Sequence, residues 1–527
     1  MITYRDLVSI GAVCLFIMSC IMLGAAPALA VIIPSSTWNG GGADAYWSTG
    51  ANWVVPAPPP PDTDAIFPAG AAQLSNIDDL AAGTAFSTIT FNGAGGGYVL
   101  DGNPFGVNTA LIASNTAGTN TINNDVQLGA SVAFTSTVAG TDLIFEGQLD
   151  LNGKTLTVAG DGDMEFRGPV IGTGSGITKN GGGTLRLAGS NAYDGATTIN
   201  AGVLFLEDST ISTSAVTLTG GALAGNGSCG SLSATGGTII PGSSVGLITV
   251  GNGLTLGANS TLQIEVNGRA DGAGFDVLDV TGPVQLGGGA FDVTFGFTPE
   301  AGDKLIIVNN DGTDAVTGEF ASFPQGSPIN GAGAPVVISY TGGDGNDVSL
   351  VVPTLGLDDI EVTEDEPGIS VDAIFTVSLS LPSLQTISVD YATTDGTAVA
   401  PLDYASQSGT VTFAPGETTK EITIQIASDA AGEGDETFTI VLSNPANALI
   451  GQAQGTCTIH NASAPAGSSG CGCIMSSDDR EAPGLAGYAW TSAVLLALAL
   501  SILQRRRKAE LLSVAMRTSA RHPDEID

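Results

Sequence analysis

Short apolar runs separated by glycine-rich turns dominate the chain from about residue 71 to about residue 350. In the segment 177–208, β-type runs such as Thr184–Leu187 and Val203–Leu206 alternate with turns of Gly, Asn and Asp. No amphipathic-helix period of three or four residues fits this segment. One such unit has too few apolar side chains to bury a core alone, so it must stack on similar units. The pattern therefore predicts an all-β, repetitive scaffold.

The same segment resembles the passenger-associated repeat of bacterial autotransporters. The matching residues are Gly181, Gly182, Gly183, Thr184, Leu185, Leu187, Gly189, Asn191, Tyr193, Gly195, Thr197, Thr198, Ile199, Asn200, Ala201, Gly202 and Leu204. The resemblance implies one coil of a right-handed parallel β-helix and says little about a ligand. We expect residues 71–355 to form a β-helix-like region of such coils.

The hydrophobic pattern changes at about Leu357, where glycine becomes rarer and the strands lengthen with regular alternation. The predicted strands include Phe375–Leu379, Ile387–Tyr391, Gly409–Phe413, Glu421–Ile426 and Thr437–Leu442. About seven strands in about 100 residues is the size of a β-sandwich. We therefore predict a sandwich over residues 356–462.

Several segments of the predicted sandwich together resemble the Calx-beta domain. They are Tyr391–Ala398, Asp403-Tyr404, Gly409–Phe413, Pro415–Glu417 and Glu433–Phe438. In members of that family that bind Ca²⁺, the resemblance implies loop carboxylates at one end of the sandwich as ligands. The matching positions in this chain are Glu364, Asp403, Asp429, Glu433 and Glu436.

Carboxylates from separate loops suit Ca²⁺, which takes six to eight oxygen ligands at about 2.3–2.6 Å. Two departures from the family pattern weaken the expected site. Ser428 stands where an Asp is expected, and His460-Asn461-Ala462 replaces an acidic run. We expect a weak calcium site, and the alternative is a sandwich whose loop acids bind nothing tightly.

The N-terminal 70 residues contain two segments with separate predictions. Residues 1–30 read as a signal peptide, with Arg5, an apolar core and a small-residue cleavage site at Ala28-Leu29-Ala30. Residues 31–70 place Trp38, Trp47 and Trp53 among Gly and Asn. We predict a cap over the first coil, because solenoids need capping. The alternative is an aromatic platform for sugar rings.

The C-terminal region predicts a membrane anchor. Residues 463–484 form a linker that contains Cys471 and Cys473, and residues 485–504 carry no charge. A helix of that length spans about 30 Å, and the basic cluster that opens the tail 505–527 predicts a cytoplasmic end. The arrangement resembles the tripartite Cys-containing sorting signals of myxobacterial surface proteins, which implies removal of the span by a protease. The alternative is a permanent single-pass anchor.

Charge and composition exclude several classes of function. The formal net charge is −37, and such acidity opposes nucleic-acid binding, which depends on Lys and Arg. The two histidines, His460 and His522, both lie outside the repeat region, which excludes a Ser-His-Asp or His-rich zinc site there. Six Cys are too few and too scattered for a disulfide scaffold.

Two further segments could carry chemistry. The acids of Asp161–Glu165 lie near Lys154, Arg167 and Lys179, as carboxylates and a base would in a polysaccharide lyase. No motif joins these residues, so we expect solvated surface charge and no catalytic residues. The segment 340–350, YTGGDGNDVSL, partly matches a calcium-binding nonapeptide, but it occurs once where several copies must stack. It therefore predicts a terminal hairpin.

These features predict an exported, surface-anchored structural or adhesive protein with a calcium-binding stem, and not an enzyme. Expected partners are Ca²⁺, surface glycans or neighbouring cells, and the membrane through the C-terminal helix. The alternative is a polysaccharide-binding or lyase-like β-helix protein. The two differ in whether the acidic and basic side chains of Lys154–Arg186 converge in one groove.

Overall fold

The computed structural model describes residues 35–140, 142–365, 368–428 and 434–461. These residues are almost entirely β-structure, and their one helical element is the 3₁₀ turn Gly50–Asn52. No helix within them is long and apolar enough to cross a membrane. The predicted all-β class is confirmed. The predicted signal peptide (1–30), Cys linker (463–484), span (485–504) and tail (505–527) lie outside the described residues.

The N-terminal two-thirds of the described chain is a succession of strands in one hydrogen-bonded system of 32 strands. The first eighteen are β1 (Ser35–Thr37), β2 (Asp64–Pro68), β3 (Ser75–Asp78), β4 (Thr84–Gly93), β5 (Val99–Gly102), β6 (Phe105–Asn115), β7 (Thr119–Ile122), β8 (Val126–Leu128), β9 (Val132–Ser136), β10 (Asp142–Phe145), β11 (Leu149–Asp150), β12 (Thr155–Ala159), β13 (Asp163–Phe166), β14 (Val170–Gly172), β15 (Gly176–Lys179), β16 (Thr184–Leu187), β17 (Ala192–Tyr193) and β18 (Thr197–Ile199). The remaining fourteen are β19 (Val203–Leu218), β20 (Ala222–Ala234), β21 (Gly237–Pro241), β22 (Leu247–Val250), β23 (Leu254–Leu256), β24 (Ser260–Val266), β25 (Val277–Val280), β26 (Val284–Gly287), β27 (Ala290–Phe295), β28 (Lys304–Asn310), β29 (Thr317–Glu319), β30 (Pro328–Ile329), β31 (Val336–Gly342) and β32 (Asp347–Val351).

Each strand of the central part pairs in parallel with the strand three positions later. Thus β10 pairs with β13, β13 with β16, and β16 with β19. In this ladder Leu143 lies beside Met164, Met164 beside Leu185, and Leu185 beside Leu204, so one coil takes about twenty residues. All four side chains are buried in one core. Parallel in-register stacking of coils confirms the predicted β-helix-like solenoid.

Stacked glycines form one corner of the coils. Gly181 and Gly202 have φ of +80° and +66°, in the left-handed region that favours glycine. A Cβ on Gly202 would lie 2.3 Å from the carbonyl oxygen of Gly183 and 2.4 Å from that of Gly181. The corner therefore requires glycine both for its dihedral angles and for the close approach of the preceding coil.

Aromatic side chains fill the N-terminal end of the solenoid. Trp38, Trp47 and Trp53 are at most 1% exposed, and Trp53 lies edge to face against both of the others. Their rings pack on Phe67 of β2. Because the rings are buried, they cover the apolar end of the first coil and offer no open face to a sugar.

Antiparallel strands close the other end of the solenoid. Strands β31 and β32 form a hairpin, and β32 also pairs antiparallel with β28. Tyr340 of the hairpin donates its hydroxyl hydrogen to the carbonyl oxygen of Phe323 at 2.7 Å. The terminal hairpin predicted for residues 340–350 is therefore confirmed.

A two-layer sandwich follows the solenoid, with its own core of buried side chains from Leu355 to Ile459. Its strands are β33 (Thr354–Leu357), β34 (Ile360–Thr363), β35 (Val371–Leu379), β36 (Ile387–Asp395), β37 (Ser408–Phe413), β38 (Thr419–Ile426), β39 (Glu436–Ala446), β40 (Leu449–Ile450) and β41 (Gln454–His460). One sheet has the order β38-β35-β33-β40 and the other β34-β41-β39-β36-β37. The five named sandwich strands are confirmed, and the structure adds β33, β34, β40 and β41.

Candidate calcium site

The strand registers bring several loops of the sandwich to one end. Strands β34 and β41 run parallel and finish together at the pair Thr363 and His460. Strand β39 starts beside them, with Glu436 opposite Ile459. Strand β38 also ends here, where Ile426 pairs with Val371 of β35. The loops that follow β34, β36 and β38 therefore share this end, which we call the loop end.

Three predicted ligands are described, and all three lie at the loop end. Glu364 directly follows β34, Asp403 lies in the loop between β36 and β37, and Glu436 is the first residue of β39. The other two, Asp429 and Glu433, lie outside the described residues. Within the described ranges, no group of three or more Asp, Glu, His or Cys side chains is placed to hold one ion. The structure thus places the three described residues at one end of the sandwich, and their joint coordination of an ion stays a prediction.

Backbone contacts fix the loop that carries Glu364. The N–H of Glu364 donates to the carbonyl oxygen of His460 at 2.9 Å. The N–H of Asp365 donates to Ser428 Oγ at 3.1 Å, and Gly368 N–H donates to the carbonyl oxygen of Ser428 at 2.9 Å. Ser428, where the family pattern has an acid, is only 7% exposed. At this position the chain therefore has a hydroxyl that holds two loops together.

A buried tyrosine fixes the loop that carries Asp403. Tyr404 is 1% exposed, stacks on Phe438 with ring centroids 4.1 Å apart, and donates its hydroxyl hydrogen to Asp395 Oδ1 at 2.6 Å. This hydrogen bond is the main cause that holds the pKa of Asp395 below its usual value. Asp403 Oδ2 accepts the N–H of Val399 at 2.7 Å. A carboxylate can accept several hydrogen bonds, so Asp403 retains acceptor capacity for a cation.

His460 occupies the end of β41, where the family pattern has acids. Its Nδ1 lies 3.0 Å from Asp435 Oδ2, and its Nε2 lies 3.6 Å from Glu361 Oε2. Sequence analysis missed the role of Asp435, although its position beside Glu436 was a signal. The pairing occupies a loop-end acid with the imidazole and leaves Glu364, Asp403 and Glu436 as the described candidates.

The donor chemistry of the loop end fits Ca²⁺. The described candidates are carboxylates on separate loops, and such oxygens are ligands that Ca²⁺ prefers. A bound ion would offset the repulsion between these negative charges. These residues would supply oxygens to the ion, while Ser428 and Tyr404 hold the loops that carry Glu364 and Asp403.

The cations near the acidic segment Asp161–Glu165 lie on both sides of the solenoid wall. Arg167 pairs with Glu146 at 2.7 Å and Glu165 at 2.9 Å on the exposed side. Lys179 is 1% exposed, and its Nζ donates to the carbonyl oxygens of Gly181 at 2.8 Å and Asn180 at 3.3 Å. Burial lowers the pKa of Lys179. Lys179 therefore lies inside the wall, whereas Arg186 lines one surface groove together with Asp142, Asp163 and Glu165.

Comparisons with known proteins agree with both regions. The family model described as the Calx-beta domain matches residues 353–462, and the passenger-associated-transport-repeat model matches residues 177–204. An extracellular serine protease of Serratia marcescens is 28% identical over 226 residues, which are 40% of this chain and 20% of the protease. Sodium/calcium exchanger 1 of Canis lupus familiaris is 52% identical over 59 residues, 11% of this chain and 6% of the exchanger.

Solved structures match the same C-terminal region. The apo form of the Calx CBD1 domain is 25% identical, with a TM-score of 0.20, over 21% of this chain and 99% of that domain. This chain spans only small fractions of the protease and of the exchanger that it resembles. Residues 353–462 are therefore a Calx-beta domain, and residues 177–204 are a passenger-associated transport repeat.

Proposed function

We propose that the protein is an exported structural or adhesive protein of the cell surface, in which the Calx-beta domain binds Ca²⁺. The proposed ligands are Glu364, Asp403, Asp429, Glu433 and Glu436. The observation that carries the proposal is the gathering of Glu364, Asp403 and Glu436 at one end of the sandwich. Calx-beta domains bind calcium, and the exchanger relative is named for its transport of that ion.

Export is supported by the repeat and by the relative. The repeat family is named for passenger transport, and the Serratia protease is extracellular. We propose that residues 1–30 direct secretion and that residues 485–504 anchor the chain or carry a sorting signal. The solenoid would then be displayed outside the cell, and the Calx-beta domain would be its stem.

Hydrogen exchange on the full chain tests calcium binding at the loop end. Peptides that cover residues 360–370 and 396–406 should exchange more slowly in about 1 mM Ca²⁺, the range of weak extracellular sites, than in chelator. The double variant Glu433→Ala with Glu436→Ala should lose this protection. The matched variant Glu417→Ala changes an acid between β37 and β38, at the opposite end of the sandwich, and should keep it. Equal exchange with and without Ca²⁺ in the wild type would refute calcium binding there.

A second candidate function is binding of a polysaccharide by the solenoid. A groove on its outer wall is lined by the polar side chains of Asn108, Asp125, Gln127, Gln148 and Asp150. Glycines line the groove as well, and a Cβ on Gly129 would lie 1.9 Å from Asn108 Oδ1. Amide and carboxylate groups suit the hydroxyls of a neutral glycan.

A glycan array with the full chain tests this candidate. Gln127→Ala with Asp150→Ala removes a hydrogen-bonded pair, whose Nε2 and Oδ2 are 2.8 Å apart, and should abolish binding. Gln285→Ala changes an exposed amide on β26 and should leave binding unchanged. Absence of binding by the wild-type chain, or equal loss in both variants, would rule out the groove.

A further inference from the structure

The hairpin that closes the solenoid folds against the loop that follows β28, and we call the two segments 310–314 and 343–347 the closing cradle. Asn310 is the last residue of β28, and its N–H donates to Asp347 Oδ1 at 2.8 Å. Asn346 Nδ2 donates to the carbonyl oxygen of Gly312 at 2.7 Å. Two segments more than thirty residues apart in sequence therefore present their polar groups to one another.

Two buried amide oxygens of the closing cradle lack a partner among the described residues. They are Oδ1 of Asn310, which is 1% exposed, and Oδ1 of Asn346, which is 7% exposed. Each amide orientation is fixed, because the nitrogens donate to the carbonyl oxygens of Asp314 and Gly312 at 2.7 Å. A buried acceptor left unsatisfied destabilises the fold, because it has lost its hydrogen bonds to water. Such a group requires a bound ion or an ordered water.

Negative charge surrounds these oxygens. Asp347 is 3% exposed, and burial, with a smaller effect from the charge of Asp344, raises its pKa. A Cβ on Gly312 would lie 2.5 Å from Asp314 Oδ1 and 3.8 Å from Asn310 Oδ1, so both oxygens flank Gly312. Neither segment of the cradle contains Lys or Arg.

We propose that the closing cradle binds one Ca²⁺ ion. The donors are the amide oxygens of Asn310 and Asn346 and the carboxylates of Asp314 and Asp347, and the exposed Asp344 adds negative charge beside them. Acidic side chains alone do not converge in threes within the described ranges, so the amide oxygens are essential to the site. Mixed amide and carboxylate oxygens suit Ca²⁺, whereas Zn²⁺ prefers nitrogen and sulfur and Mg²⁺ requires a stricter octahedron.

The bound ion joins the last coil to the hairpin. Asn310 continues the parallel ladder of β25 and β28, opposite Val280, while Asp347 opens β32. A solenoid requires a cap at its end, because each coil is covered only by its neighbours. The ion therefore strengthens the closure of the solenoid and makes it depend on external calcium.

Equilibrium dialysis of the full chain against Ca²⁺, with hydrogen exchange on the same samples, tests the proposal. Asp314→Asn with Asp344→Asn removes two exposed carboxylates and should lower the stoichiometry by one ion per chain. In the wild type, Ca²⁺ should slow exchange at least about tenfold in peptides that cover residues 308–316 and 340–350. A factor of ten corresponds to about 1.4 kcal/mol. The double variant should lose this protection.

A control variant removes the same number of negative charges at positions outside the closing cradle. Asp271→Asn with Asp292→Asn alters two exposed acids outside the closing cradle and should retain both the stoichiometry and the protection. The proposal is overturned if the cradle variant binds as many ions as the wild type, or if Ca²⁺ leaves exchange in both cradle segments unchanged. Water would then hold the two amide oxygens. These peptides are separate from those of the loop end, so either site can fail alone.

Discussion

Acidic side chains serve different purposes in the wall of the solenoid and at the loop end of the sandwich. In the wall, the carboxylate of one coil accepts a backbone N–H from the next. Asp163 accepts from Thr184 at 2.6 Å, and Asp125 accepts from Gln148 at 2.8 Å. At the loop end, Asp403 instead accepts from Val399 of its own loop. Carboxylates that contribute to the net charge of −37 therefore join adjacent coils in one region, whereas at the loop end we propose that they supply oxygens to a cation.

The largest expected effect concerns the glycine corner. In the described part of the sandwich, no glycine with a positive φ has another atom within 4 Å of its Cβ position. Gly202→Val should destabilise the solenoid by about 4 kcal/mol or more, because steric conflict and a positive φ act together. A Cβ there would meet two carbonyl oxygens and also Lys179 Nζ at 2.5 Å. Urea unfolding followed by circular dichroism measures the loss.

Gly140→Val provides the matched control for this substitution. Gly140 has a similar φ of +79°, but nothing lies within 4 Å of its Cβ position. Its substitution should cost only the dihedral strain, about 1–2 kcal/mol. Equal losses at the two positions would mean that close stacking of the coils contributes nothing to the demand for glycine.

Calcium should stabilise the sandwich by the next largest amount. At a hundred times the dissociation constant, a site present only in the folded state adds about 2.7 kcal/mol. For a domain of this size that raises the melting temperature by about 10 °C or more. Calorimetry of the full chain should resolve this shift for the Calx-beta domain and show most of it lost in Glu433→Ala with Glu436→Ala. A shift that survives in this double variant would place the ion elsewhere.

A buried carboxyl should make solenoid stability fall with rising pH. Asp276 is 0% exposed and accepts the N–H groups of Gly246 and Glu265, both at 2.7 Å. Burial raises its pKa to about 7, whereas the unfolded value is about 4. The folded state binds the proton more tightly, so this stabilisation is complete below about pH 4 and is lost as pH rises through about 7.

The expected change for Asp276 is about 2 kcal/mol between pH 5 and pH 7. Melting curves of the wild type and Asp276→Asn, recorded in chelator over this range, measure it. The variant should be less stable at pH 5, because an amide offers one acceptor oxygen where the carboxyl group has two, and its curve should be flatter. Parallel curves for the two proteins would show that Asp276 does not titrate in this range.

The smallest effect is expected at the exposed ion pairs of the wall. Arg167→Ala should cost about 1 kcal/mol or less, because exposed pairs with Glu146 and Glu165 are well solvated. Its loss should shrink further in high salt. Urea unfolding at two salt concentrations gives both values. A loss of several kcal/mol would mean that the wall depends on surface charge rather than on stacked backbone.

The sequence was sufficient to predict the fold because its signals are local. The runs Thr184–Leu187 and Val203–Leu206 became adjacent coils, and the alternation of Phe375–Leu379 became part of β35. Lys179 also had a local signal, since it stands two positions after Ile177 and a strand places such residues on one face. Its burial follows from that period, although its charge argued for the surface.

The two candidate cation sites differ in how far the sequence could reveal them. Glu364, Asp403 and Glu436 were found through a family pattern that already encodes their meeting at one end. Asn310 and Asn346 belong to no such pattern. Their side chains reach the same loop only because β32 turns back along β28, a non-local pairing that periodicity does not contain.

The tryptophan cap gives the chain an optical label for one end. Three of the four tryptophans belong to the cap, where the rings of Trp38 and Trp47 lie 5.3 Å and 6.0 Å from that of Trp53 between centroids. The Calx-beta domain contains no tryptophan. Edge-to-face indoles at such distances transfer excitation among themselves and give strong near-ultraviolet dichroism. In a chain without Trp490, indole emission therefore reports the opening of the first coil, because the remainder of the molecule contains no tryptophan.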